Sequence, residues 1–482
     1  MPANNIKFSC SKCDAQYSKW TGRCLECGNW GTIKEISNVK CQKSKDKKSN
    51  TPAGQTINFD KVVGQEVARI RTGINEFDRV LGGGIAPGSL VLLGGEPGIG
   101  KSTLVLQITN NISGNSSVIP TKSAAGGRME GFRDSSTALR SARNDKTQIL
   151  YVAGEESAEQ IKLRFDRLGL KPQGLEFLGE TNVETICATI ENLKPAIAIV
   201  DSLQTITSSE ADGVAGNPNQ LKICCTKLMA SAKETKVPII LVGHVTKEGG
   251  LSGPKTLEHL VDVVLYLEGD RFHQFRILRS VKNRFGSTNE VGIFEMKNTG
   301  LQEVKNPSLA MLSGRGETVP GSVVTCLMEG ARPLLMEIQA LVSKTQFGYP
   351  QRRASGFDLN RLQVLIAVLA KRTGLPLETH DIFLNVVGGL RADEPAADLA
   401  VVLAIASALK NKTVPANLAA FGEIGLGGEV RSVAQTEKRL MEIEKIGFAY
   451  VVMPPTIEPI IAAGLKIAKI KNVREVVEKI IK

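Results

Sequence analysis

Residues Gly95-Glu96-Pro97-Gly98-Ile99-Gly100-Lys101-Ser102-Thr103 follow the spacing G-x-x-x-x-G-K-[ST]. Phosphate binding is the chemistry this spacing serves. Glycines leave backbone N–H groups free to face phosphate oxygens, and a helix starting behind them adds its positive end. Lys101 would neutralise the β and γ oxygens and Ser102 would ligate Mg²⁺, which makes Mg·ATP the expected ligand. Asp201 ends the apolar run Ile197–Val200 and is the acidic group expected to hold the same metal. Hydrolysis also needs a base that polarises the attacking water. Glu155 is the first candidate and Glu156 a close second, both just past the apolar run Ile149–Val152. Both could instead open a helix and serve its dipole.

A second constellation is made of thiols. Cys10-x-x-Cys13 and Cys24-x-x-Cys27 form two knuckles separated by ten residues. Each knuckle lets two thiolates reach one tetrahedral ion, and two knuckles complete a four-thiolate zinc site. With every position filled by sulfur there is none open for substrate, so the zinc is structural. Cys41, Cys187, Cys224, Cys225 and Cys326 show no ligand spacing.

The elements that must position these residues follow from composition. A chain of 482 residues exceeds one ordinary core, and a hydrophobic share of 42% is that of a soluble globular protein. No apolar run is long enough to span a bilayer, and the run from Leu399 to Leu409 reads as a buried helix. No secretory h-region precedes the cysteines, so a cytoplasmic location without membrane partners is expected. Residues 1–35 read as the zinc finger and 36–58 as a basic linker. From 59 to 300, the runs Leu90–Leu93, Ile149–Val152, Ile197–Val200 and Ile239–Val242 alternate with helix-like stretches. That pattern predicts a mainly parallel α/β sheet with helices on both faces. The polar stretch 114–146 is too long for an ordinary connection and reads as a disordered surface insertion. Residues 306–482 form a further α/β unit with a helix over Leu362–Lys371. A formal charge of +11 favours a polyanion such as nucleic acid, whereas the few aromatics argue against extensive base stacking.

The four-cysteine finger, the phosphate loop and Lys282-Asn283-Arg284-Phe285-Gly286, in this order, resemble the bacterial RadA (Sms) family. So do Thr72-Gly73-Ile74, Phe77-Asp78 and Leu81-Gly82-Gly83-Gly84-Ile85. The resemblance implies a RecA-like core in a homo-hexameric ring, a DNA-dependent ATPase that processes recombination intermediates and promotes branch migration. It also implies binding to single-stranded and branched DNA alongside the strand-exchange recombinase. By the same resemblance, Lys282 and Arg284 reach a neighbouring subunit's ATP, although from the residues alone they could be a solvated basic turn. The loop from Gly243 to Lys255 corresponds to one that faces DNA in such rings, with Lys247 and Lys255 on phosphates. His244 is either a γ-phosphate sensor or a structural histidine.

Residues 306–482 are similar to the proteolytic domain of the Lon family. Asn385–Gly389, Asp393–Asp398 and Phe421–Glu429 carry the likeness. Ala396 stands where active members have a nucleophilic serine, and the activating lysine falls at Glu437, with Lys438 one residue off. A methyl group cannot attack a carbonyl, so a non-proteolytic scaffold is expected. Its surface candidates for DNA are Lys344, Arg352 and Arg353. Competing readings are a nucleotide-driven switch or kinase similar to KaiC, an ATP-dependent protease, and an adaptor that ATP merely orders.

Overall fold

The computed structural model describes residues 7–12, 16–17, 19–36, 68–114, 148–243, 257–269, 275–346, 348–388, 391–455 and 464–481. The chain divides into two units, Met1–Glu66 and Val67–Lys482. In the first, β1 (Lys7–Cys10) lies between β2 (Gln16–Tyr17) and β3 (Ile33–Ile36), antiparallel to both. Among its described residues the buried interior is Cys10, Cys24 and Ile33, with Phe8, Tyr17 and Cys27 packed against them. A core this small does not offset the entropy of ordering the chain without a metal or a crosslink.

The second unit is built on two sheets. Six parallel strands make the centre of the first: β4 (Leu90–Gly95), β5 (Ile149–Ala153), β6 (Leu175–Leu178), β7 (Ile197–Asp201), β8 (Ile239–Val242) and β9 (Val263–Glu268). Antiparallel β10 (Phe275–Asn283), β11 (Val291–Lys297) and β12 (Gly300–Glu303) extend one edge, in the order β12-β11-β10-β9-β4-β8-β7-β5-β6.

The apolar runs are continuous because both faces of this sheet are covered. Val91, Leu93, Tyr151, Ile199 and Val242 face a core closed by α1 (Asn75–Leu81), α2 (Lys101–Gly114) and α3 (Ala158–Arg167). Alternate residues Leu90, Leu92, Val152, Val200 and Leu241 face α4 (Val183–Leu193) and α5 (Pro218–Thr235). The two-residue period along each strand distributes one sequence run between two cores.

After β12 the chain enters α6 (Pro307–Leu312) and the second sheet. Its strands are β13 (Ser322–Glu329), β14 (Arg332–Lys344), β15 (Arg352–Ser355), β16 (His380–Val386), β17 (Leu418–Ala420), β20 (Tyr450–Met453) and β21 (Lys466–Lys469). They run β15-β16-β14-β13-β17-β20-β21, and β18 (Glu423–Ile424) pairs separately with β19 (Val430–Arg431). Helices α7 (Leu359–Thr373), α8 (Asp398–Lys410) and α9 (Thr436–Ile446) pack on it. The predicted buried helix is α8, in which every residue from Asp398 to Ser407 is buried. Ile277, Val291 and Ile293 of the first sheet belong to the same apolar core, so the two sheets are joined by packing.

Gly114, which the sequence assigns to an insertion, closes α2. The rest of that stretch and all but Ile36 of the linker lie outside the described residues, as do Cys13, His244, Lys247 and Lys255.

Candidate nucleotide site and metal centre

Strand β4 is buried along its whole length and ends at Gly95, opposite Leu267 of β9. Gly95 has φ +149°, and a Cβ there would lie 2.5 Å from the Leu267 carbonyl oxygen, so the loop can leave the strand only through glycine. Exposed Glu96, Pro97 and Gly98 form the bend, and Ile99 anchors it in the core. Lys101 then opens α2 with its side chain buried, and Nζ donates to the carbonyl oxygens of Gly95 at 2.8 Å and Glu96 at 2.9 Å. Burial pushes Lys101 down to about 8, against the pull of Asp201 and Glu96.

The parallel register aligns Ala153 of β5 with Asp201 of β7 at the same edge of the sheet. Burial raises the Asp201 carboxyl above the usual range, while hydrogen bonds from Tyr151 and Ser102 oppose the rise. The Tyr151 hydroxyl donates to Oδ2 of Asp201 at 3.0 Å. Beyond β5, Glu155 Oε1 accepts from the Ser202 hydroxyl at 2.7 Å. Glu156 is instead paired with Arg164 at 2.6 Å. A capping box between Ser157 and Gln160 starts α3 directly behind both glutamates and turns Arg164 back toward them.

Together these elements enclose a cleft of about 420 Å³ lined by Gly98, Gly100, Lys101, Ser102, Thr103, Ala153, Glu155, Glu156, Arg164, Arg167 and Asp201. Its size suits a nucleotide-sized ligand. Lys101, Ser102, Thr103, Glu155 and Asp201, distant in sequence, are thus brought together. Of the two glutamates, Glu156 has a cationic partner and Glu155 is held by the Ser202 hydroxyl. The sequence reading overlooked Arg164 and Arg167; the signal available was their spacing of seven and ten residues after Ser157 on an amphipathic helix.

Lys282 and Arg284 are absent from that cleft. Asn283 pairs with Val263, which pairs with Val91, whereas the phosphate loop leaves opposite Leu267. Four residues of strand separate the two ends, about 13 Å. Lys282 Nζ donates to the Glu258 carbonyl oxygen at 2.6 Å, and Arg284 lies 3.5 Å from Asp262, so both turn toward the segment leading into β9. Asp262 is fully buried and also accepts from Lys233 at 2.7 Å. Arg284 itself is about half exposed.

In the first unit, the Sγ atoms of Cys10, Cys24 and Cys27 all lie within 4.8 Å of one another, and Cys10 and Cys27 are 3.7 Å apart. Two thiolates on a tetrahedral zinc at about 2.3 Å are separated by about 3.8 Å, so the described sulfurs fit that ion. Donors surround them as thiolates require: Asn29 Nδ2 reaches Cys27 Sγ at 3.3 Å, and the Cys27 N–H reaches Cys24 Sγ at 3.5 Å. Cys13, the fourth ligand of the sequence reading, lies outside the described residues.

In the C-terminal sheet Ala396 is buried, and its carbonyl oxygen accepts from Gly422 N at 2.9 Å. Glu437 and Lys438 are exposed on α9, and the residue that points inward is Arg439. Fully buried, Arg439 pairs with Glu394 and donates to the Cys326 carbonyl oxygen at 2.6 Å. The surface candidates also divide. Arg352 donates to the carbonyl oxygens of Gln351, His380 and Leu377 and serves the fold, while Lys344 and Arg353 are exposed.

A buried parallel sheet ending in a phosphate loop, an acidic strand end and a cleft of nucleotide size define a RecA-like P-loop ATPase carrying a zinc ribbon. Family models match in three places: the AAA domain over residues 59–250, subunit ChlI of Mg-chelatase over 360–457, and the rubredoxin metal binding domain over 8–35. The chain is 45% identical to the DNA repair protein RadA of Bacillus subtilis (strain 168) over 459 residues, 94% of this chain and 93% of that one. It is 43% identical to the DNA repair protein RadA of Streptococcus pyogenes serotype M3 (strain ATCC BAA-595 / MGAS315) over the full length of both chains. A solved structure of the RadB recombinase aligns with 49% of this chain and 99% of its own at 19% identity, with a TM-score of 0.35. The chain belongs to the RadA family of DNA repair proteins. Among the described residues no helix is long and apolar enough to cross a membrane.

Two outcomes are expected. Phosphate binding favours the charged form of Lys101, so ATP affinity should weaken as pH rises past about 8, approaching tenfold per unit. Titration of a fluorescent ATP analogue across that range measures it, and Lys101→Arg, charged throughout, should flatten the slope. Zinc should be found in equimolar amount with the chain and be lost in Cys24→Ser. Metal analysis of the wild type and the variant measures both.

Proposed function

We propose that this chain is a DNA-dependent ATPase that processes recombination intermediates and promotes branch migration, working as a homo-hexameric ring on single-stranded and branched DNA. The observation that carries this reading is the pair of opposite sheet ends. Lys101, Ser102, Asp201 and Glu155 converge at one, while Lys282 and Arg284 sit at the other, about 13 Å along the strands. Arg284, its side chain half exposed and 3.5 Å from Asp262, is out of reach of its own chain's phosphates, which suits a group serving a neighbouring copy.

Within a site shared in this way, the phosphate loop from Gly95 to Thr103 binds the nucleotide. Lys101 leaves two loop carbonyls to neutralise the β and γ oxygens, and Ser102 and Asp201 hold the magnesium that accompanies them. Glu155 orients and deprotonates the attacking water, with Ser202 fixing its carboxylate. Lys282 and Arg284 of the adjacent copy stabilise charge on the transferring phosphoryl group. Lys247 and Lys255, on sequence grounds, contact DNA phosphates without reading sequence. The zinc ribbon is a structural module and a candidate contact for the strand-exchange recombinase.

Protease activity is not part of the proposal. Buried Ala396 has no nucleophilic atom, and the cation pointing into that region is Arg439, already paired with Glu394.

Phosphate release from ATP, with and without single-stranded DNA, tests the reading. Wild type should be stimulated by DNA, and the stimulation should weaken as salt rises. Glu155→Gln should lose about a hundredfold or more in kcat while still binding ATP, and Lys101→Ala should lose both. Turnover indifferent to DNA would remove the proposal in favour of a nucleotide switch. An unfolded protein substrate should stay intact with ATP present, and its cleavage would refute the scaffold reading.

A further inference from the structure

A turn of the C-terminal sheet touches the loop that carries Arg284. Gly330 and Ala331 join β13 to β14, and their tip lies on the connection between β10 and β11. Ala331 N donates to the Asn289 carbonyl oxygen at 2.6 Å. Gly330 has φ +61°, and a Cβ on it would lie 2.0 Å from that same oxygen, so the approach is open to glycine alone.

The residues flanking the tip grip both strands that hold the loop. Glu329 pairs at 2.6 Å with Arg279, three residues before Lys282 on β10. Arg332 pairs at 2.7 Å with Glu76, which is buried and accepts from Ile293 N of β11 at 2.9 Å. From the other side Arg69 donates to the Phe285 carbonyl oxygen, and a Cβ on Gly286 would lie 3.4 Å from Gly82. The loop is therefore held before, within and after Arg284, and one of the two holders belongs to a sheet with no part in the nucleotide cleft.

We infer that the Glu329–Arg332 turn is a brace that positions Lys282 and Arg284 for the nucleotide of the adjacent copy. Through it the C-terminal sheet sets the hydrolysis rate without touching ATP, and Gly330 and Arg332 are its positioning residues. The inference rests on the neighbour-serving role given above to Lys282 and Arg284. A loosened brace moves the groups that act in the transition state and leaves the phosphate loop intact, so it acts on kcat and spares KM.

The experiment is DNA-stimulated hydrolysis by full-length Gly330→Ala, Arg332→Ala and Arg332→Lys, each alone and combined with Arg284→Ala. Gly330→Ala and Arg332→Ala should each lower kcat about tenfold with KM for ATP within about twofold. In the Arg284→Ala background neither should lower it by more than about twofold, because only Lys282 is then left for the brace to position. Arg332→Lys keeps a cation at the single contact with Glu76 and should recover to within about threefold of wild type; it also tests the idea should Arg332→Ala fail to fold. An unchanged kcat, a rise in KM alone, or losses that multiply with Arg284→Ala would each overturn the brace. If Arg284→Ala by itself left kcat intact, the neighbour-serving role would fall and the brace with it.

Discussion

The parallel register of β4, β5 and β7 is the constraint on which the rest depends. It brings the ends of three strands, at Gly95, Ala153 and Asp201, to one edge of a sheet whose two faces are both sealed by helices. Main-chain groups of the phosphate loop, the buried Lys101 ammonium and the Asp201 carboxyl then share one partly desolvated cleft. Burial lowers the lysine and raises the aspartate, so each group holds its charge at some cost until a phosphate or a metal compensates it. The same register sends β10, which runs antiparallel to β9, to deliver Lys282 and Arg284 at the far end. The separation of the two groups is a geometric consequence of strand direction, and it is why the proposed function needs a neighbouring copy.

The C-terminal sheet follows a different logic. Its buried charges are spent on internal pairs: Arg439 with Glu394, and Arg361 with Asp398, which also accepts from Ile424 N at 3.0 Å. Pairs of this kind tie α7 to α8, and α9 to the segment that leads into α8. What this sheet offers the first is rigidity, through a shared apolar core and the turn at Gly330 and Ala331.

Much of this was legible in the residue order. The runs at Leu90, Ile149, Ile197 and Ile239 are strands because four or more consecutive apolar residues between turn formers fit a sheet covered on both faces. The spacing around Lys101 identified the phosphate loop, and the nearly all-apolar stretch after Asp398 identified a helix buried on every side. Strand order was not legible, since equally apolar runs carry no label for their neighbours. Nor was the pairing of Glu156 with Arg164, nearly two helical turns into α3. Arg439 was overlooked because a buried cation reads from sequence as a surface residue, and the carbonyl partners of Arg352 were not legible either.

The central claim is that a working nucleotide site is built from two copies, and mixing inactive variants tests it most directly. Lys101→Ala lacks the phosphate-loop lysine and Arg284→Ala lacks the distal arginine, so each alone should hydrolyse ATP poorly. Combined in equal parts and allowed to exchange subunits, they should recover about a quarter of the wild-type rate, the share of neighbours that pair an intact loop with an intact arginine. A mixture no more active than its components would contradict the account, because it would mean that both residues serve the same chain.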